Sequence, residues 1–152
     1  MKPGSRKREV ERGLPPDGSF GKSGCFMAVK NTVLIIGNGG REHALGWSFS
    51  QDPRIDRIWF APGNAGTAEL GENLKIPATD VGGISSWAEK EKPGLVVVGP
   101  EAPLCAGLAD RLRELGLRVF GPGQKGAQLE GSKSFCKELL VSERIPTARA
   151  GS

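Results

Sequence analysis

The sequence predicts an α/β fold, a parallel sheet wound with helices on both faces and strands in the order of about 3-2-1-4-5. Three observations predict it. The run Val33-Leu34-Ile35-Ile36 is apolar throughout, with three of its four residues β-branched, and three glycines within Gly37-Asn38-Gly39-Gly40 then break it. Such a run fits a buried strand. A second run, Leu95-Val96-Val97-Val98, is equally apolar. Neither alternates with polar residues, so both belong at the centre of a sheet covered on each face. Helical patterns fall between the strands at crossover spacing, which implies right-handed connections and a parallel sheet.

After the first strand, residues 41–51 read as a helix, with Ala44, Leu45, Trp47 and Phe49 giving it an apolar side. Asp52-Pro53 ends it, because a residue before proline avoids the helical region. A second strand is expected over 57–60, then a turn through Pro62-Gly63-Asn64-Ala65-Gly66-Thr67. Leu74-Lys75-Ile76 reads as a short third strand. Asp80 is placed to cap a helix reaching about Glu91, its first turn weakened by Gly82-Gly83. The fourth strand, 95–98, leads into the turn Gly99-Pro100-Glu101-Ala102-Pro103. A helix over 104–115 and a fifth strand over 118–120 follow, ended by Gly121-Pro122-Gly123. Residues 124–130 and 132–142 are two further helical patterns, the second with Phe135, Leu139 and Leu140 on one face. They fit no place in the sheet. The expected division is a tail over 1–30, a substrate-binding domain over 31–123 and a helical lead-in over 124–152.

The chain has 152 residues, 23 of them glycine and 11 proline, enough for one domain rich in turns. Its net charge of +4 is uneven. Residues 1–30 hold seven of the 21 basic residues and three of the 17 acidic ones, so the rest carries 14 of each and is neutral. A domain without excess positive charge is a poor nucleic-acid binder, and no apolar run is long enough to span a membrane. With little apolar surface, the tail is expected to be disordered. Glu9, Glu11 and Asp17 argue against a transit peptide, and no apolar core supports a secretory signal. Met27 is an alternative start. Cys25, Cys105 and Cys136 have no metal-ligand spacing and read as free thiols of a reducing compartment.

Strand, glycine turn and helix N-terminus together form an anion site, because the first helical amides are unpaired and the helix dipole favours negative charge. The dinucleotide fingerprint requires a glycine where this chain has Glu42, and an acid after the second strand where it has Ala61-Pro62-Gly63. The lysine of a nucleotide P-loop is also missing. A single phosphate, as on a sugar phosphate, is the better fit. The turns after strands one, two and four should share one rim beside the switch in strand order. Arg41 either clamps that phosphate or pairs with Glu42 in solvent. His43, the one histidine, reads as packed or capping rather than catalytic. Glu101 lies between prolines on the rim and suits a sugar diol, since a carboxylate accepts from both hydroxyls. Asn64 and Thr67 either bind on the rim or form their turn.

Four motifs carry a resemblance. Gly37-Asn38-Gly39-Gly40-Arg41-Glu42-His43-Ala44, Ala61-Pro62-Gly63-Asn64-Ala65-Gly66-Thr67, Val97-Val98-Gly99-Pro100-Glu101-Ala102-Pro103-Leu104 and Gln128-Leu129-Glu130-Gly131-Ser132-Lys133 occur in order over about 32–147. The chain thereby resembles the phosphoribosylamine–glycine ligase family of purine biosynthesis, which joins glycine to 5-phosphoribosylamine with ATP and Mg²⁺ (or Mn²⁺) through a glycyl phosphate. The resemblance implies a Rossmann-like pre-ATP-grasp domain followed by the start of an ATP-grasp region. It places the phosphoribosyl group against Gly37, Asn38, Gly39, Gly40 and Arg41, with Asn64, Thr67 and Glu101 toward the substrate. Lys133 falls near the nucleotide phosphates, unless it is a solvated helix lysine. It further implies a cytoplasmic enzyme part that packs against its own ATP-grasp domains. Small-molecule substrates are the expected partners, with neither nucleic acid nor membrane. As most of the ATP-grasp portion is not in the sequence, the chain is expected to be a fragment with no catalytic or metal-binding residue, unable to ligate alone. Two alternatives are a stand-alone nucleotide-binding regulatory module and another ATP-grasp ligase acting on a different phosphoribosyl compound.

Overall fold

The computed structural model describes residues 31–148. The tail, the Met27 start and Cys25 lie outside the described residues. Five parallel strands form one sheet in the order β3-β2-β1-β4-β5. They are β1 (Thr32–Gly37), β2 (Arg57–Pro62), β3 (Glu72–Asn73), β4 (Leu95–Val98) and β5 (Val119–Phe120). This is the order and direction expected from the two apolar runs. The central pair, β1 and β4, aligns Val33 with Leu95 and Ile36 with Val98.

Alternate residues of the strands divide the core in two. Leu34, Ile36, Trp59, Ala61, Val96 and Val98 point to one face, against α2 (Val81–Glu91), α3 (Glu101–Cys105) and α4 (Leu108–Glu114). Val33, Ile35, Ile58, Phe60 and Val97 point to the other, covered by Leu45 and Phe49 of α1 (Gly40–Ser50). Each of the valine, leucine, isoleucine and phenylalanine side chains contributes about 1.5–3 kcal/mol when fully buried. Asp80 caps α2 as expected, accepting from the Gly83 amide at 2.8 Å. Trp59 meets Trp87 edge-on at 5.0 Å, tying β2 to α2.

Three details differ from the sequence expectation. Trp47 is not on the apolar side of α1: it is 57% exposed, and Leu45 and Phe49, four residues apart, define the packed face. The third strand is Glu72–Asn73, not 74–76. Gly71 passes so close to the Ile58 carbonyl that the chain joins the sheet edge at once, pairing Trp59 with Glu72. Leu74 and Ile76 then turn into the core instead of extending the ladder. Finally, the helix expected over 104–115 is two helices and begins earlier. Gly107, in the left-handed region at φ 86°, breaks it, and Gln124 Nε2 donates to the freed Cys105 carbonyl at 3.0 Å. Glu101 therefore opens a helix instead of sitting in a turn. The last two helices, α5 (Gln124–Gly131) and α6 (Lys133–Ser142), follow the expected pattern, with Ser132 capping α6 through the Phe135 amide.

Candidate functional site

The carboxyl ends of β1, β2 and β4 meet on one rim, as the parallel topology requires. Gly37 ends β1 at φ 127°, a conformation open to glycine, and its carbonyl accepts from the Gly63 amide at 3.1 Å. The Gly99 amide donates to the Ile36 carbonyl at 3.1 Å. Asn64 Nδ2 donates to the Asn38 carbonyl at 2.8 Å, and Arg41 Nη1 to the Gly99 carbonyl at 3.0 Å. The three turns are thus joined by hydrogen bonds running directly between them, with β1 in the middle.

The turn after β2 is braced from inside. Thr67 Oγ1 accepts from the Asn64 amide at 2.7 Å and lies 2.8 Å from Asn73 Oδ1, to which its hydroxyl donates. Asn73 Nδ2 completes the ring on the Asn64 carbonyl at 2.7 Å. Thr67 is fully buried, so its side chain shapes the turn and leaves Asn64 to face the rim. The Ala61–Pro62 peptide is cis. The His43 ring packs against Gly66, where a built Cβ would sit 3.1 Å from it, in keeping with a packed role.

The rim's two acids differ in a way the sequence did not disclose. Glu101 is exposed at the start of α3. Among the described residues no hydrogen bond or ion pair holds its carboxylate. Glu42 is 4% exposed, and its Oε2 accepts from the Gly39 amide at 2.7 Å. Its Oε1 is buried without a hydrogen-bond partner, 3.8 Å from Arg41 Nε. The two do pair, as one alternative had it, but not in solvent: the arginine is exposed and also reaches the turn after β4, while the glutamate folds inward. The expectation that the turn's amides are bare also needs correction at Gly39. Gly40, the next residue, borders open space, since a Cβ built there meets nothing within 4 Å. The signal that could have found Glu42 was present, namely an acid three residues after a possible helix cap, a spacing that folds back onto the cap amide.

Lys133 is exposed at the first position of α6, an element packed chiefly on α5. The structure does not join it to the rim. Gly37, Asn38, Gly39, Gly40, Arg41, Asn64 and Glu101 are brought to it. Chemically, the rim offers first-turn amides and a guanidinium for an anion, and a free carboxylate for hydroxyl or amine donors.

Comparison with known proteins agrees with this fold. The family described as phosphoribosylglycinamide synthetase, N domain, matches residues 31–130. A phosphoribosylamine–glycine ligase of Haemophilus influenzae is 53% identical over 118 residues, and one of Yersinia pestis is 55% identical over the same length. Each alignment covers 76% of this chain but 28% of the relative. The crystal structure of the phosphoribosylamine–glycine ligase from Thermotoga maritima superimposes with a TM-score of 0.57 at 33% identity, covering 78% of this chain and 26% of that one.

Proposed function

The chain belongs to the family of phosphoribosylglycinamide synthetase N domains, and from that premise we propose that it binds the ribosyl phosphate of a phosphoribosylamine–glycine ligase. That enzyme would join glycine to 5-phosphoribosylamine at the expense of ATP. The observation that carries the reading is the rim itself, where three strand-end turns are hydrogen-bonded around a helix N-terminus that opens outward at Gly40. In this proposal the phosphate lies on the Gly40 and Arg41 amides, with the Arg41 guanidinium folding over it. Asn64 and Glu101 meet the ribose hydroxyls, Gly37, Asn38 and Gly39 give the turn its shape, and Thr67 acts by bracing Asn64.

For ATP and its Mg²⁺ (or Mn²⁺), no group of three or more His, Cys, Asp or Glu among the described residues could hold the metal ion. ATP and the metal are assigned to the ATP-grasp portion that accompanies this domain in the family, as is glycine, and Lys133 is proposed to reach the nucleotide phosphates from there. The exposed face of α6 would then pack on those domains. No helix among the described residues is long and apolar enough to cross a membrane. We further propose a cytoplasmic setting, where Cys105 and Cys136 stay reduced.

Calorimetric titration of the 152-residue chain with ribose 5-phosphate tests the binding proposal. Saturable one-to-one binding, weakened by inorganic phosphate and insensitive to glycine, is expected. The same chain supplied with ATP, glycine and phosphoribosylamine should release no ADP above background. Absence of ribose 5-phosphate binding by the folded chain would reject the site.

A further inference from the structure

The usual dinucleotide turn leaves its first helical amides bare so that a pyrophosphate can rest on them, and its third glycine lets helix and strand pack closely. In this chain a side chain does something different in that place. Glu42 bends back over the turn and seats one carboxylate oxygen on the Gly39 amide at 2.7 Å. The surrounding glycines are shaped around it. A Cβ on Gly37 would lie 2.7 Å from Glu42 Cγ and Cδ, one on Gly39 would lie 3.0 Å from Oε2, and one on Gly99 would overlap Oε1. The other oxygen is buried with no hydrogen-bond partner, and only a long ion pair, 3.8 Å to the exposed Arg41 Nε, compensates it. Burial of a carboxylate with an unsatisfied oxygen is costly, and neither packing nor the cap bond alone requires it, since a smaller residue would clear all three glycines.

We infer that Glu42 is a specificity-determining residue, an internal anion that occupies the crevice between the β1 and β4 turns and closes it to the pyrophosphate of a dinucleotide. The carboxylate already uses the helix dipole and the innermost amide. A second anion at the same atoms meets a like charge at short range in a poorly screened setting. Only the outer amides beyond Gly39 remain for negative charge, with the part of the Arg41 guanidinium not already engaged by Glu42 and the Gly99 carbonyl, fewer donors than a pyrophosphate needs. The inference concerns the same rim as the ribosyl-phosphate proposal, but its readout is a different ligand, so the two can fail separately.

The test compares the parent chain with E42A and E42Q, using ADP-ribose as the dinucleotide-like probe, calorimetry for affinity, and circular dichroism melting for folding. E42A frees the Gly39 amide and removes the charge, and should bind ADP-ribose about tenfold or more tightly than the parent. E42Q keeps an acceptor on that amide and loses only the charge, so its gain should be about threefold. An E42A chain that folds and gains nothing overturns the inference, as does a parent chain that already binds ADP-ribose as tightly as the variant. If E42A fails to fold, E42Q decides alone: an affinity equal to the parent's rejects the role.

Discussion

At the scale of single residues, Glu101 and Asp52 show how the same carboxylate is put to different uses by its neighbours. Glu101 is exposed and held by no partner among the described residues, so its removal leaves the core untouched. Glu101→Ala should weaken ribose 5-phosphate binding by about tenfold, the worth of one charge-assisted hydrogen bond, while the melting temperature stays within a degree or two. Unfolding, with normal binding in the folded fraction, would show the residue to be structural. Asp52 instead closes the end of α1. Its Oδ1 accepts from the Arg54 amide at 3.0 Å, and both carboxylate oxygens meet the Arg54 side chain at 2.6–3.1 Å. These hydrogen bonds, the side-chain ones foremost, hold its pKa down from 3.8 to about 2. The group binds its proton less readily folded than unfolded. Its contribution is therefore complete above about pH 4 and is lost as pH falls toward 2. An NMR titration of the Asp52 carboxyl carbon should centre near 2 in the parent chain and near the ordinary value in Arg54→Ala.

Among the elements, α1 carries the most, because it presents the rim at one end and covers a sheet face along its length. Gly46 is its contact point: a Cβ there would overlap the Phe60 ring, which is fully buried in β2. Glycine in a helix normally costs about 1 kcal/mol relative to alanine. Here the exchange should reverse sign, with Gly46→Ala destabilising by about 1–3 kcal/mol through overpacking, read as a lower midpoint in urea. This contact also marks the limit of what could be seen beforehand. The apolar runs of β1 and β4 and the glycine turns between them made the sheet order and the shared rim legible, because topology follows from local pattern once crossovers are right-handed. Trp47 misled because hydrophobicity alone does not say which of two adjacent faces meets the sheet. The two residues of β3 were hidden because a neighbouring strand, rather than local propensity, recruits Glu72 and Asn73. Glu42 passed as a solvent partner of Arg41 because its burial depends on Gly99, 57 residues later.

For the molecule as a whole, stability should fall away from the middle of the sheet. Strand β1 is paired on both sides and buried on both faces, and β4 is its most apolar neighbour. The edge strands β3 and β5 have two residues each, and α6 has no buried residue. Local opening is easiest where few apolar contacts are lost. Native-state hydrogen exchange should therefore find the slowest amides in Leu34–Ile36 and Val96–Val98, exchanging only on global unfolding, and fast exchange through α6. The rim provides the functional counterpart of this gradient. The Gly63 and Gly99 amides are bonded to β1 carbonyls and should be slow without any ligand. Gly40 and Arg41, at the unpaired start of α1, should exchange quickly and slow several-fold on addition of ribose 5-phosphate. Protection spread evenly over the chain, with no gain at Gly40 and Arg41, would mean that the sugar phosphate stabilises the fold from elsewhere. Protection confined to that first turn would place the phosphate where the sheet is most rigid and its amides are still free.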